Sequence, residues 1–229
     1  MLKYDVHNYS LKGILSMKHF ALILCVFLLC AISIKAQQKY QLPKGYSVFK
    51  DGDEQVVRVD NDFNNDGIND IAIVCTLNNQ EEYNYLLIHI NEAYSTSNTW
   101  NAIPIQKAFA YQLTYNKSVL KFGGCFGTGR YCETYKFKYY SDLSSMRLIG
   151  YDEESFGNAA HDGAFSKSVN LVTNQIEILE ENVYNAKTRK NGVNKVHKKI
   201  SMPIITINSY NESTLSYLQE LGRQFFKNK

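Results

Sequence analysis

The chain has 229 residues, of which 45% are hydrophobic, and carries 25 Lys and Arg against 22 Asp and Glu. Setting aside residues 1–36, which read as targeting, leaves 193 residues with 21 basic and 21 acidic side chains. A neutral body of that size suits one domain with its own core and excludes a general attraction to nucleic acid or to an anionic membrane.

The first element in chain order is a secretory signal peptide. Lys18 and His19 precede the apolar run "FALILCVFLLCAISI" at residues 20–34, and Ala36 offers a small residue for cleavage before Gln37. That run falls short of the ~18–20 residues a bilayer span needs, so the expectation is a secreted or periplasmic protein with no membrane span after cleavage. Met17 is the expected true start. Leu29 stands where a small residue would precede a lipidated cysteine, which disfavours lipid attachment at Cys30.

Next comes "EQVVRVD", a strand pattern, followed by the stretch "DFNNDGINDIA" at residues 62–72. Asp62, Asn64, Asp66 and Asp70 fit the first nine positions of the EF-hand ligand pattern, and Gly67 occupies its turn position. Ca²⁺ takes ~6–8 oxygens, and one tightly wound loop can aim them inward from alternate positions; the carbonyl of Ile68 supplies a further ligand in such loops. The twelfth position is Ile73 rather than Glu, and "DIAIV" is a strand pattern. The loop is therefore expected to be a structural calcium clip between two strands, not a helix–loop–helix sensor. An Asn- and Asp-rich turn with no metal is the plainer alternative.

Beyond the loop the pattern stays β. "DIAIVCT", "YNYLLIHIN", "KAFAYQL", "SVLKFGG", "ETYKFKYY", "SMRLIGYD", "SVNLV" and "NQIEILE" are short runs rich in β-branched and aromatic residues, separated by Asn, Asp, Gly and Ser. They predict an all-β antiparallel domain, propeller-like or a sandwich, without the internal repeat of a regular propeller. In an oxidising compartment Cys125 and Cys132 are expected to pair across "CFGTGRYC", and Cys75 to be a buried thiol. Lys187 to Lys199 reads as a solvated basic hairpin turning at Asn191-Gly192. One short C-terminal helix is expected over "LSYLQELGRQFF", capped by Ser213 or Thr214, with Leu215, Leu218, Leu221 and Phe225 on one face.

Catalytic signatures are sparse. H-E-x-x-H, G-x-S-x-G and C-x-x-C do not occur in the sequence. His89 is expected on a strand surface, His161 beside Asp162 in a turn, and Asp152, Glu153 and Glu154 of "YDEES" in a solvated turn. The protein is not expected to be an enzyme. The alternative is a hydrolase of cell-surface glycan or peptidoglycan whose paired carboxylates come from distant loops.

The loop and strand "DFNNDGINDIAIV" resemble the calcium loops of FG-GAP and VCBS-type repeats in secreted β-propeller proteins. More broadly, the succession "LLIHIN", "LKFGG", "TYKFKYY", "SMRLIGYDEE" and "SVNLVTNQIEI" resembles, over residues 46–180, a family of bacterial periplasmic or lipoprotein domains. One branch of that family acts as immunity proteins that block a lysozyme-like effector. This chain departs from the family pattern at Asn174, where glycine is usual, and at "SSM" before "RLIG", which lacks the usual turn glycine. The resemblance implies a secreted, calcium-binding, non-catalytic domain with a lysozyme-like protein as partner. The glycine-rich "GGCFGTGRYC" is the candidate contact loop, because a disulfide-braced turn bearing Phe126, Arg130 and Tyr131 would enter a cleft with little ordering cost; a hairpin connection without a partner is the plainer alternative.

Overall fold

Short β-branched and aromatic runs cannot bury both edges of a lone hairpin, so they collect into sheets. In the computed structural model the described residues are 40–92, 99–108, 110–127, 130–159, 163–185 and 190–226, with backbone alone for 182–185, 190 and 191. The chain divides into two units at Gln41/Leu42, and every strand and helix described below belongs to the second. The expected signal peptide lies outside the described residues.

Among the described residues there are twelve strands: β1 (Tyr46–Val48), β2 (Arg58–Asn61), β3 (Asp70–Leu77), β4 (Tyr83–His89), β5 (Asn101–Gln106), β6 (Ala110–Asn116), β7 (Val119–Phe126), β8 (Tyr131–Tyr140), β9 (Ser145–Ser155), β10 (Phe165–Asn170), β11 (Gln175–Asn185) and β12 (Lys190–Lys199). The first sheet places β1 and β2 along the same edge of β3, followed by β4 and β5; the second runs from β6 to β12 in chain order as a seven-stranded meander. Every pairing is antiparallel. Both sheets are open and share one core, so the architecture is sandwich-like rather than a closed propeller-like ring.

The alternation of side chains builds that core. Ala72, Val74, Leu86, Ile88, Ile103 and Ile105 from the first sheet meet Leu120, Phe122, Tyr135, Phe137, Tyr151 and Val169 from the second. Helix α1 (Glu212–Glu220) adds Leu215 and Leu218, and a short 3₁₀ turn (Arg223–Phe225) follows. No helix among the described residues is long and apolar enough to cross a membrane.

Two turns have a non-glycine residue in a left-handed conformation. Ser144 and Asn174 both take left-handed backbone conformations, with φ of 44° and 59°. Glycine adopts that region without cost, and asparagine tolerates it better than most residues. Asn174 also ties the turn down: its Oδ1 accepts from the N–H of Met202, and its carbonyl from Ile200.

Several local expectations are corrected. Strands β1 and β5 are not legible in the sequence, β5 because it carries Pro104. The helix cap is Asn211, whose side chain accepts from the N–H of Thr214 while Thr214 Oγ1 accepts from the N–H of Asn211. Asn191 and Gly192 lie within β12, paired with Tyr184 and Val183, and so are strand rather than turn; residues 186–189 lie outside the described residues. "SVNLV" is half strand and half turn, with Leu171 to Asn174 forming the β10–β11 connection.

Candidate functional site

The acidic loop joins β2 to β3, which pair antiparallel, as a clip between strands requires. Gly67 has φ 86° and Asn65 φ 61°, so the chain winds tightly there. Asp62 presents both oxygens to the loop's own backbone, accepting from the N–H of Asp66 (3.1 Å) and of Gly67 (2.8 Å). Asn64 Oδ1 accepts from the same Asp66 N–H, and Asp66 Oδ1 from that of Ile68 (2.8 Å). Asp70 is 0% exposed and accepts from the N–H of Phe63 and of Asn91, both at 2.7 Å. Burial pushes the Asp70 carboxyl up to about 6, partly offset by those two hydrogen bonds and augmented by the charge of Asp66.

Phe63 anchors the loop. Its ring is buried against Tyr115 of β6, 5.0 Å between centroids, and Tyr115 Oη donates to the carbonyl of Asp62. Thus a strand of the second sheet holds a loop of the first.

In donor chemistry the set fits a hard cation: carboxylates, one amide oxygen and the Ile68 carbonyl, without nitrogen or sulfur. Among the described residues no lysine or arginine pairs with Asp62, Asp66 or Asp70. No three His, Cys, Asp or Glu side chains there are grouped as metal ligands. A cation held by this loop would draw on the neutral oxygens of Asn64 and Ile68 as well as on carboxylates.

A second feature lies where β7 turns into β8. Cys125 and Cys132 are directly opposed and disulfide-bonded, with Cα atoms 4.1 Å apart, as the sequence leads one to expect. One rung further out, Phe126 faces Tyr131 with ring centroids 5.6 Å apart, on the other side of the sheet from the bridge. Of the three expected contact residues, only Arg130 is exposed; Phe126 and Tyr131 are half-buried, and Thr128 and Gly129 lie outside the described residues. Arg130 Nη1 donates to the carbonyl of Gly157 at 2.9 Å.

The register extends this rung to Ser155 and Phe165, and Phe165 packs edge-on against Phe226. Phe156, 49% exposed, donates its N–H to the carbonyl of Arg130. Sequence inspection missed Phe156, Phe165 and Phe226, because they reach the hairpin only through pairing of distant strands.

The remaining titratable candidates resolve differently. "YDEES" is not a turn but the end of β9: Asp152 pairs with Lys136, and Glu153 is only 4% exposed and pairs with Lys167. Glu133, 1% exposed and opposite Glu153, accepts from the hydroxyls of Tyr131, Tyr135 and Tyr151 and from the Gln219 amide. Burial, then the charges of Glu133 and Glu153, hold the Tyr131 and Tyr151 hydroxyls far above the ordinary tyrosine range. His89 faces away from Leu86 and Ile88 as expected, yet it is buried, stacked on Trp100 with Nδ1 at 2.8 Å from the Thr99 carbonyl. Cys75 is a buried free thiol, pushed up to about 12 by burial. His161 lies outside the described residues.

Compared with protein-family models, curated proteins and solved structures, the chain finds no match in any of the three.

Proposed function

We propose that this is an exported, calcium-braced β-sandwich that acts without catalysis by binding a macromolecular partner at its β7–β8 end, with a lysozyme-like cell-wall lytic effector as that partner. The observation that carries the binding surface is the aromatic rung from Phe126 and Tyr131 to Phe165 beside exposed Arg130, backed by the Cys125–Cys132 bridge. Aromatic residues and arginine supply most of the energy in protein interfaces, and a braced tip loses little entropy on docking. The lysozyme-like partner rests on the family resemblance alone. Supporting the calcium brace are the oxygen-only donor set and the absence of any cationic side-chain partner for its carboxylates among the described residues.

Glycan hydrolysis is the less supported alternative. It needs two carboxylates flanking a substrate bond, and the opposed pair Glu133 and Glu153 is buried and occupied by tyrosine hydroxyls, Gln219 and Lys167. Purified protein should inhibit a lysozyme-type muramidase in a turbidity assay and should not itself release fragments from peptidoglycan. Fragment release without inhibition would reverse the assignment.

A further inference from the structure

We propose that the outer edge of β12 is a docking site for an extended acidic segment of a partner protein, which joins the second sheet as an added strand. A sheet edge carries unpaired N–H and C=O groups, and proteins protect it by shortness, proline or cover. The other edges here are protected in those ways. The first sheet ends in β1 and β2, of three and four residues, and in β5 with its Pro104, while the acidic loop packs against Tyr115 of β6. By contrast, β12 has ten residues and no proline, and among the described residues no strand lies beyond it.

The register shows what this edge presents. Ile200 donates its N–H to the carbonyl of Asn174, continuing the β11–β12 pairing by one residue, and hydrogen-bonded pairs recur at every second residue of an antiparallel ladder. Lys198, Val196 and Asn194 therefore turn their backbone groups to β11, whereas Lys199, His197 and Lys195 turn theirs outward. The far side of β11 agrees. Glu181 donates to the carbonyl of Ala164, which assigns Leu179, Glu177 and Gln175, the residues opposite Lys195, His197 and Lys199, to bonds with β10.

Side chains set the kind of strand that fits. Lys195, His197 and Lys199 are exposed on the outer face, while Val196 and Ile200 face the core from its margin and are only half-buried. The facing row on β11 offers one carboxylate, Glu177, which pairs with Lys195 at 2.8 Å and lies 3.9 Å from His197. Lys198 and Lys199 pair with no carboxylate among the described residues. A matching strand thus alternates acidic residues, beside the lysines, with apolar ones that finish burying Val196 and Ile200. Lysine guards an edge selectively: a second copy of β12 would set lysines against lysines, so the edge rejects self-pairing and admits acid. This surface is separate from the β7–β8 tip and does not depend on what binds there.

Residue-resolved amide exchange on the purified chain, with and without a capped nonapeptide alternating Val and Glu, tests the site. Without peptide, the amides of Lys195, His197 and Lys199 should exchange fast and those of Val196 and Lys198 slowly. Peptide at ~10 times its Kd should slow the first three about tenfold. The same peptide with Lys in place of Glu should not bind, and Lys199→Glu should weaken the acidic peptide by about fivefold, as an attraction at the surface becomes a repulsion. His197→Pro, which removes an outward N–H that β11 does not use, should weaken it too. Edge amides already slow in the peptide-free chain, a dimer protected at β12, equal binding of the two peptides, or binding that leaves the three edge amides fast would each overturn the proposal. So would the absence of binding at ~1 mM peptide, and these wild-type readings decide even if a variant fails to fold.

Discussion

Asp66 and Asp70 differ in what they contribute without an ion. Asp66 is exposed, and its hydrogen bonds to the Ile68 N–H and to Asn64 stay within the loop, so their loss costs about 1 kcal/mol or less. In saturating calcium, Asp66→Ala should lower Tm by on the order of 5–10 °C, as expected for losing a ligand held at about a hundredfold over its Kd, and in excess chelator it should change little. An equal drop in both conditions would assign the residue a purely structural part. Asp70 gives a signature in pH. Its folded-state carboxyl is raised from the ordinary 3.8 to about 6, so the unfolded chain releases the proton first as pH rises. In chelator the associated stability is present below about pH 4 and is lost as pH climbs to about 6. The proposed calcium site uses the deprotonated carboxylate, so the ion should reverse that slope, which urea midpoints across pH 4–7 with and without it would reveal.

The strands themselves were largely readable, because burial of one face imposes a period of two and the turns punctuate it. What escaped were β1, too short to show a period, and β5, masked by Pro104. The cap moved by two residues because Asn211 can accept from Thr214 as well as a hydroxyl would. Tertiary contacts set the rest. Gly222, φ 81°, lets the chain turn out of α1, and a Cβ there would lie 2.3 Å from Ile176 Cδ1. Gly222→Ala should therefore cost about 1–3 kcal/mol from left-handed strain and overpacking, measured as a lower urea midpoint at unchanged m. The β7–β8 bridge spans a sequence separation of only 7, within a ladder already held by β6 and β9. Replacing both cysteines by serine should lower stability by about 2 kcal/mol and leave the fold intact, checked by chemical denaturation of the double variant.

Of the candidate sites, the loop was visible as spacing within nine residues, whereas the aromatic rung and the buried carboxylates arise from strands far apart in sequence and left no local pattern. The same distinction explains why the loop matters beyond its own hairpin. Phe63 sits between Asp62 and Asn64, two of the proposed ligands, yet its ring belongs to the shared core, and its neighbour Tyr115 comes from β6 in the other sheet. The Tyr115 hydroxyl holds the carbonyl of Asp62 at 3.2 Å and so fixes the backbone of the first proposed ligand, without belonging to the proposed set itself. Binding energy at the loop should consequently reach both sheets. Calcium should raise amide protection in β6 as well as in β2 and β3, and Tyr115→Phe, which keeps the ring and removes the hydroxyl, should weaken calcium binding by about fivefold, the worth of one hydrogen bond near 1 kcal/mol. Calorimetric titration of the variant checks the affinity, and exchange on the wild type checks the reach. If calcium protected β2 and β3 alone, and Tyr115→Phe bound it as the wild type does, the ion would be bracing one hairpin and not the sandwich.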